Sequence, residues 1–547
     1  MPFINYLKVI YSTKIKRLNI IHICLFLLAL VLPLYILKQI SFPLVLDEAA
    51  NQISMSYWRK YVTILPIYHL IYGWVHLFFH GNHIILRIFN LLIALALYIV
   101  GYMIMKKVLK IDSKKIAWLY TLFFLVFPVN LMSYFFVEEN YLIGFGMMLY
   151  LLFFFQYKEN SRIHDLLIAD VIFVLLLGIK FMTELSLPIL FILIVLIEKY
   201  VLKKKTFKWM DGVFLYVVPF IVFFAFYFLF IKFIAQYAFM DPFIYQFGRY
   251  HSIGIKPILG QLMLLTLYLS PYYMAIMLWI TWFTLKEFKS LGNVRWLVVL
   301  FWIIVASFMK GAMFSGSYPK YLIICFYIGV LLICKHVIAR NFKYSWNDNL
   351  ILLGAYFYFF FSLKDPMLFN YPITFYLMND PLLLSIFVRD ILLKFIISLI
   401  PLAGLFFYKE KFKYFIILLL AFSLSTITYQ AFNEYSLRLA YGERGLRSVI
   451  KWGEANVNKK DSSYAVKDLT YALFNVNNYN EGIFEYGENI ESHLLFIQAK
   501  KPKYVMYRDY WIPRNKSIFF SQQLEDWGYT LRYQTGNFIV YDREPKP

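Results

Sequence analysis

Runs of about twenty apolar residues recur from near residue 20 to near residue 432, and short loops rich in Lys and Arg alternate with acid-bearing ones between them. That recurrence leaves few ways to fold. A helix of about twenty residues spans the hydrocarbon core of a bilayer, and only helices or closed barrels satisfy their backbone hydrogen bonds there. The expected fold class is a polytopic α-helical membrane protein. Composition agrees: 61% of the 547 residues are hydrophobic and 21% aromatic, too many for a soluble domain of this size. The formal net charge of +22 invites a nucleic-acid reading. The positions of the charges oppose it, because Lys and Arg gather in the short loops between spans, as orientation in a membrane requires. No nucleic-acid partner is expected.

Spans are expected over about 20–40, 84–105, 116–133, 141–156, 166–180, 185–200, 212–234, 259–285 and 296–312. One more opens after Lys320, and others cover about 349–363, 385–407 and 414–432, giving about thirteen in all. Basic clusters such as Lys106-Lys107, Lys203-Lys204-Lys205 and Lys409, Lys411 and Lys413 fall on one side. Loops bearing Glu138, Glu139, Asp241, Asp365 and Asp380 fall on the other. The basic side reads as cytoplasmic, and an odd count of spans places the tail outside. Lys8, Lys14, Lys16 and Arg17 precede the first run, and no small-residue cleavage site follows, so the first span reads as uncleaved. Only Cys24, Cys325 and Cys334 are present, with no disulfide framework and no CxxC metal signature. Topology and cysteine usage suit a multi-pass protein of a bacterial inner membrane.

Residues 1–435 thus form the expected transmembrane domain, with a first outer loop at 41–83. From about 436 the long apolar runs stop, and 436–547 is expected to form a small extracytoplasmic α/β domain. Residues 443–456 read as an amphipathic helix, Tyr504–Tyr507 and Phe538–Tyr541 as strands, and Phe519–Trp527 as a helix ending at Gly528.

Asp47-Glu48 is the sharpest chemical feature. Charge at the bilayer centre costs roughly 2.5–3.5 kcal/mol per residue on insertion scales, so both acids belong at the membrane edge facing a cavity or water. A carboxylate there can take the proton from an acceptor hydroxyl as its oxygen attacks an activated carbon. A lipid phosphate leaves as a stable anion, so one base suffices, unlike the paired acid and base of glycoside hydrolysis. The plain alternative is an acidic helix end. Glu138-Glu139 forms a second acidic pair before an apolar span, suited to orienting an acceptor or a base, or simply solvated. Two acids do not make a metal site, and no metal or other cofactor is expected to be required. His69, His76, His80 and His83 crowd the first loop. His76 and His80 are four apart, a spacing that ligates zinc on a helix, but no third ligand completes a site. Arg87, Lys180, Arg249, Lys310 and Lys320 break the one-sided charge pattern. Singly each reads as a snorkelling side chain, and together as a phosphate site.

These residues carry a resemblance. The chain resembles the C-type (GT-C) superfamily of integral-membrane glycosyltransferases, in the branch of protein O-mannosyltransferases and lipid A aminoarabinose transferases. Leu46-Asp47-Glu48-Ala49 stands where that family has its Asp-Glu after the first span. Pro66-Ile67-Tyr68, Gly81 and Leu86-Arg87 match its run from a Pro through aromatic residues to a Gly and an Arg. Glu139 stands at its second acid, most often Asp, with Glu138 as the alternative alignment. Gly178-Ile179-Lys180 with Leu187-Pro188, and Tyr318-Pro319-Lys320-Tyr321-Leu322, resemble its later motifs. Leu65 stands where members often have a Lys, with Arg59 or Lys60 as substitutes nearby.

The resemblance implies the GT-C fold and a transferase moving a hexosyl or pentosyl group from a polyprenyl-phosphate sugar donor to a lipid, protein or glycan acceptor, with inversion. It implies Asp47 as general base, with Glu48 and Glu139 positioning the base or the acceptor. Arg87, Lys180, Arg249 and Lys320 would bind the donor phosphate, and Glu138, Tyr68, His69 and Tyr318 would touch sugar or acceptor. A flippase for lipid-linked sugars, or a ligase or polymerase using diphosphate-linked donors, is the alternative. The flippase reading sits less well with a chain that shows no internal repeat.

Overall fold

The structure is a computed structural model. It describes residues 66–127, 139–184, 186–203, 209–230, 269–311, 322–338, 345–362, 411–432, 445–474, 490–509 and 514–543, with short pieces between and before them.

The first described helix, α1 (Pro66–Phe78), lies in the expected loop 41–83 rather than in a span. It ends where His80 and Gly81 turn left-handed, at φ +51 and +69. The helical face proposed for His76 and His80 is therefore broken, since the helix stops before His80. Asn82 then caps α2 (His83–Lys107), its side chain accepting from the amides of Ile84 and Ile85 at 3.0 and 3.4 Å. α3 (Lys114–Val126) stops well short of residue 133. Phe127 is extended because Pro128 follows it, and a residue before proline avoids the helical region. α4 (Asn140–Asn160), α5 (Ile163–Glu184) and α6 (Ser186–Tyr200) follow the expected order. A turn at Trp209–Gly212 and a π-helical stretch, Val213–Val217, lead into α7 (Val218–Phe230). The π-helical turn sets Tyr216 against Tyr150, hydroxyl to hydroxyl at 2.6 Å, with Tyr216 donating to the Leu187 carbonyl at 3.2 Å.

The expected span 259–285 is interrupted. Ser270 takes φ +72 and caps α8 (Pro271–Lys286), accepting from the Tyr272 amide, while Pro271 occupies the first helical position. α9 (Val294–Gly311), α10 (Ile323–Ile338), α11 (Trp346–Ser362) and α12 (Lys411–Phe432) complete the described bundle. Among the described residues, His83–Lys107, Asn140–Asn160 and Met210–Phe230 are long and apolar enough to cross a membrane. Small residues let the helices approach closely, as Gly146 does to Leu176 and Gly329 to Tyr273. The Tyr273 hydroxyl donates to the Cys325 carbonyl at 2.9 Å, leaving its bulk in apolar surroundings with its polar end satisfied.

Beyond the bundle, α13 (Leu446–Asn456), α14 (Lys467–Leu473), α15 (Ile490–Lys500) and α16 (Arg514–Asp526) surround a four-stranded sheet. Its strands are β1 (Ser463–Ala465), β2 (Tyr504–Arg508), β3 (Tyr529–Thr535) and β4 (Phe538–Arg543), in the order β1-β2-β4-β3. β1 and β2 are parallel, and β4 is antiparallel to both β2 and β3. Every residue of β2 is buried, as expected of a central strand. β3 and β4 form a hairpin with Thr535 opposite Phe538, turning through Gly536 at φ +57 and Asn537. A buried ion pair between Arg508 and Asp468 ties α14 to β2.

Candidate functional site

The site is built where α1 meets the first turns of α2 and α4 and the last turns of α5. α2 and α4 run parallel. A Cβ on Gly144 would lie 3.0 Å from Leu97, and one on Gly101 would lie 3.8 Å from Met148, four residues further along each helix. With a rise of 1.5 Å per residue, Glu139 therefore sits about level with Leu92, within two turns of Arg87. α5 runs the other way, because only Ser161 and Arg162 separate it from α4 and the two helices pack together, and a Cβ on Gly146 would meet Leu176 at 2.6 Å. That places the Lys180 backbone about level with Leu142, roughly a turn from Glu139. Gly178 packs directly on Ile67, seating α1 against the same end of α5.

Within this end the polar side chains are buried and mutually engaged. Arg87 is fully buried and Glu139 is 9% exposed. Both are charges that an apolar bundle holds only with partners around them. Asn90 lies three residues from Arg87, on the same face of α2, and accepts from the Tyr72 hydroxyl at 2.6 Å. Tyr68, one turn before Tyr72 with its ring 4.7 Å away, reaches the Val137 carbonyl at 3.4 Å, two residues before Glu139. Asn130 donates to the Phe124 carbonyl at 3.3 Å, and Tyr141 donates to Asn130 at 3.1 Å. α2 and α4 both point their N-termini, the positive ends of their dipoles, toward this end. With Arg87, that makes a place able to receive an anion beside an acid.

The sheet layer closes on the same end. The Tyr471 hydroxyl, on α14, donates to the Gly81 carbonyl at 2.7 Å. A Cβ on Gly81 would lie 2.5 Å from that hydroxyl and 2.9 Å from His76, so glycine is required by space as well as by φ. Burial pushes the Tyr471 phenol up to about 12 and moves His76 below its ordinary value. Both groups are therefore neutral near pH 7, as a contact out of water requires.

Of the residues expected from sequence, the structure brings Tyr68, Arg87 and Glu139 to one end of the bundle, with the backbones of His69 and Lys180 beside them. Asp47, Glu48, Glu138, Arg249, Tyr318 and Lys320 lie outside the described residues. Sequence reasoning passed over Tyr72, Asn90, Asn130, Tyr141 and Tyr471. The available signals were a tyrosine one turn after Tyr68 and two asparagines inside apolar runs. Among the described residues no group of three or more His, Cys, Asp and Glu side chains is placed to hold a metal.

The bundle and the sheet layer together have the fold of a solved membrane protein, ArnT. The chain is similar to the crystal structure of ArnT from Cupriavidus metallidurans bound to undecaprenyl phosphate, with a TM-score of 0.61 and 12% identity, covering 95% of this chain and 99% of that one. The apo crystal structure of the same ArnT gives a TM-score of 0.57 at the same identity and coverage. No protein-family model matches the chain, and no curated protein matches it by sequence. The likeness is thus one of fold, spread over nearly the whole chain.

Proposed function

We propose that this chain is a membrane glycosyltransferase that moves a sugar from a polyprenyl-phosphate donor to an acceptor hydroxyl. The observation that carries this reading is the fold likeness, over 95% of the chain, to a protein crystallised with undecaprenyl phosphate. The buried Arg87 and Glu139 at one end of the bundle support it. Asp47 is the general base. It takes the proton from the acceptor hydroxyl as that oxygen bonds to the anomeric carbon, and the carbon–oxygen bond to the donor phosphate breaks. Polyprenyl phosphate leaves as a stable anion, and displacement from the opposite face inverts the anomeric centre. Glu48 and Glu139 position the base and the acceptor. Arg87, Lys180, Arg249 and Lys320 hold the phosphate through charge-assisted hydrogen bonds. Glu138, Tyr68, His69 and Tyr318 line the sugar and acceptor side. The chemistry draws on no metal, because the leaving group carries its own stabilised charge.

The reaction takes place on the extracytoplasmic face of a bacterial inner membrane, where it builds a cell-envelope glycan. The Tyr471–Gly81 bond supports a tail on the same side as the first loop. The test is headgroup release from a radiolabelled polyprenyl-phosphate sugar by the purified chain in vesicles. Release of a lipid-free or acceptor-linked label is the expected result. Movement of intact labelled lipid across the bilayer without release would instead make the chain a flippase.

A further inference from the structure

The sheet layer carries a cation of its own to the end of the bundle where Arg87 lies. Its mount is α13, which is seated on β3 at two points. Gly445, the N-cap of α13, takes φ +91, and a Cβ there would lie 2.5 Å from the Thr535 carbonyl oxygen, so only glycine fits. Two turns on, the Trp452 ring stacks on Tyr533 at 5.2 Å with the planes 9° apart. α13 also packs directly on α14, since a Cβ on Gly453 would lie 2.4 Å from Leu473. α14 in turn carries Tyr471, whose hydroxyl is bonded to the Gly81 carbonyl just before α2. The first turn of α13 is thereby fixed relative to the first turn of α2.

Arg447 lies in that first turn of α13, half-buried. It is within electrostatic reach of His83, the first residue of α2. So is Arg87, one turn further along the same helix. Among the described residues, the charges that act on His83 are these two guanidinium groups. They come from different layers of the molecule, the fully buried Arg87 from the bundle and Arg447 from the sheet layer. Neither α2 nor α13 has an acid in its first turn. Two like charges around one half-buried residue repel more strongly as water is excluded, and an anion between them turns that repulsion into attraction. The Ile84 and Ile85 amides are already taken by the Asn82 side chain, so an anion arriving here is held by side chains. Guanidinium forks suit a tetrahedral phosphate, because two of them can meet different edges of it.

The reaction proposed above supplies such an anion, and the inference rests on that reading. The donor is a phosphodiester with a single negative charge. As the bond from its oxygen to the anomeric carbon breaks, the electron pair stays on that oxygen. A phosphate monoester with a charge of about −1.5 to −2 near pH 7 is left. The site must therefore hold more negative charge after transfer than before it, and a cation brought in from a second layer answers that rise. We propose that Arg447 is a phosphate-binding residue contributed by the sheet layer, meeting the departing polyprenyl phosphate from the side opposite Arg87.

Equilibrium binding of undecaprenyl phosphate and of undecaprenol to the purified full chain in nanodiscs tests the proposal. The two lipids share a tail and differ in charge. The wild type prefers the phosphate. Arg447→Gln weakens the phosphate by about 10-fold or more, the scale of a lost charged hydrogen bond, and leaves undecaprenol unchanged. Arg447→Lys restores part of the loss. Lys451→Gln, exposed one turn further along α13, binds both lipids as the wild type does. An arginine that only tied the layers together would weaken both lipids alike. Equal losses for the two lipids in Arg447→Gln, or no loss, would overturn the inference and leave the transferase reading standing. A wild type that binds the two lipids equally would overturn both.

Discussion

Arg87 and Arg508 are both fully buried guanidinium groups, and their surroundings give them different work. Arg508 is paired with Asp468 inside the sheet layer, where removing one partner strands the other. Arg508→Met should therefore destabilise the sheet layer by about 3–5 kcal/mol, the range for breaking a buried pair. Thermal unfolding of the full chain, followed by near-ultraviolet dichroism, should show this as an early transition. Arg87 sits instead at the N-terminal end of a long helix, near Glu139 and two helix N-termini. Under the proposed function Arg87→Gln raises the KM for the donor at least 10-fold, on the scale of a lost charged hydrogen bond, while expression and folding persist. Arg87→Lys restores part of that loss, since charge survives and the planar fork does not. Arg87 was legible in sequence because a charge inside an apolar run demands a reason. Tyr72 and Asn90 were not, because each looks ordinary until α1 is seated on α2 and their side chains meet.

Between elements, the contact of greatest consequence joins α14 to the turn after α1. Tyr471→Phe removes the bond to the Gly81 carbonyl, and Gly81→Ala forces both a clash and a strained φ. Amide exchange in α1 and α14 should rise together in either variant, and more in Gly81→Ala. Acid should loosen the same contact. Burial holds His76 below the ordinary histidine value, so an unfolded or undocked His76 takes up its proton first as pH falls. The seating of α1 is then complete above about pH 6.5 and weakens as pH drops below it. Exchange in α1, corrected for intrinsic rates, should rise between pH 7 and pH 5.5, and His76→Phe should flatten that rise.

The helices of the bundle could be read from sequence because about twenty apolar residues leave no other option. Their ends moved where local chemistry overrode length, at Pro128 after α3 and at Ser270-Pro271 before α8. In the sheet layer β2 and β4 were read from short apolar runs bounded by polar residues, Tyr504–Tyr507 and Phe538–Tyr541. β3, Tyr529–Thr535, was passed over because it is an edge strand whose side chains are mostly exposed, so the run carries little apolar signal. β1 is three residues long and exists only by pairing with β2.

For the whole molecule, the two ends of the bundle hold different sets of buried polar residues. One gathers Tyr68, Arg87 and Glu139 under the sheet layer, and the other holds Lys158, Glu198 and Arg295 around Trp296. Under the proposed function the first arrangement receives the donor phosphate at Arg87, beside Glu139. The direct measurement is turnover of a radiolabelled polyprenyl-phosphate sugar by the purified chain and by its Asp47→Asn variant at equal amounts in the same vesicles. The account predicts sugar release by the wild type and a loss of roughly 100-fold or more in the variant, the contribution of a general base. Undiminished release by Asp47→Asn would contradict it.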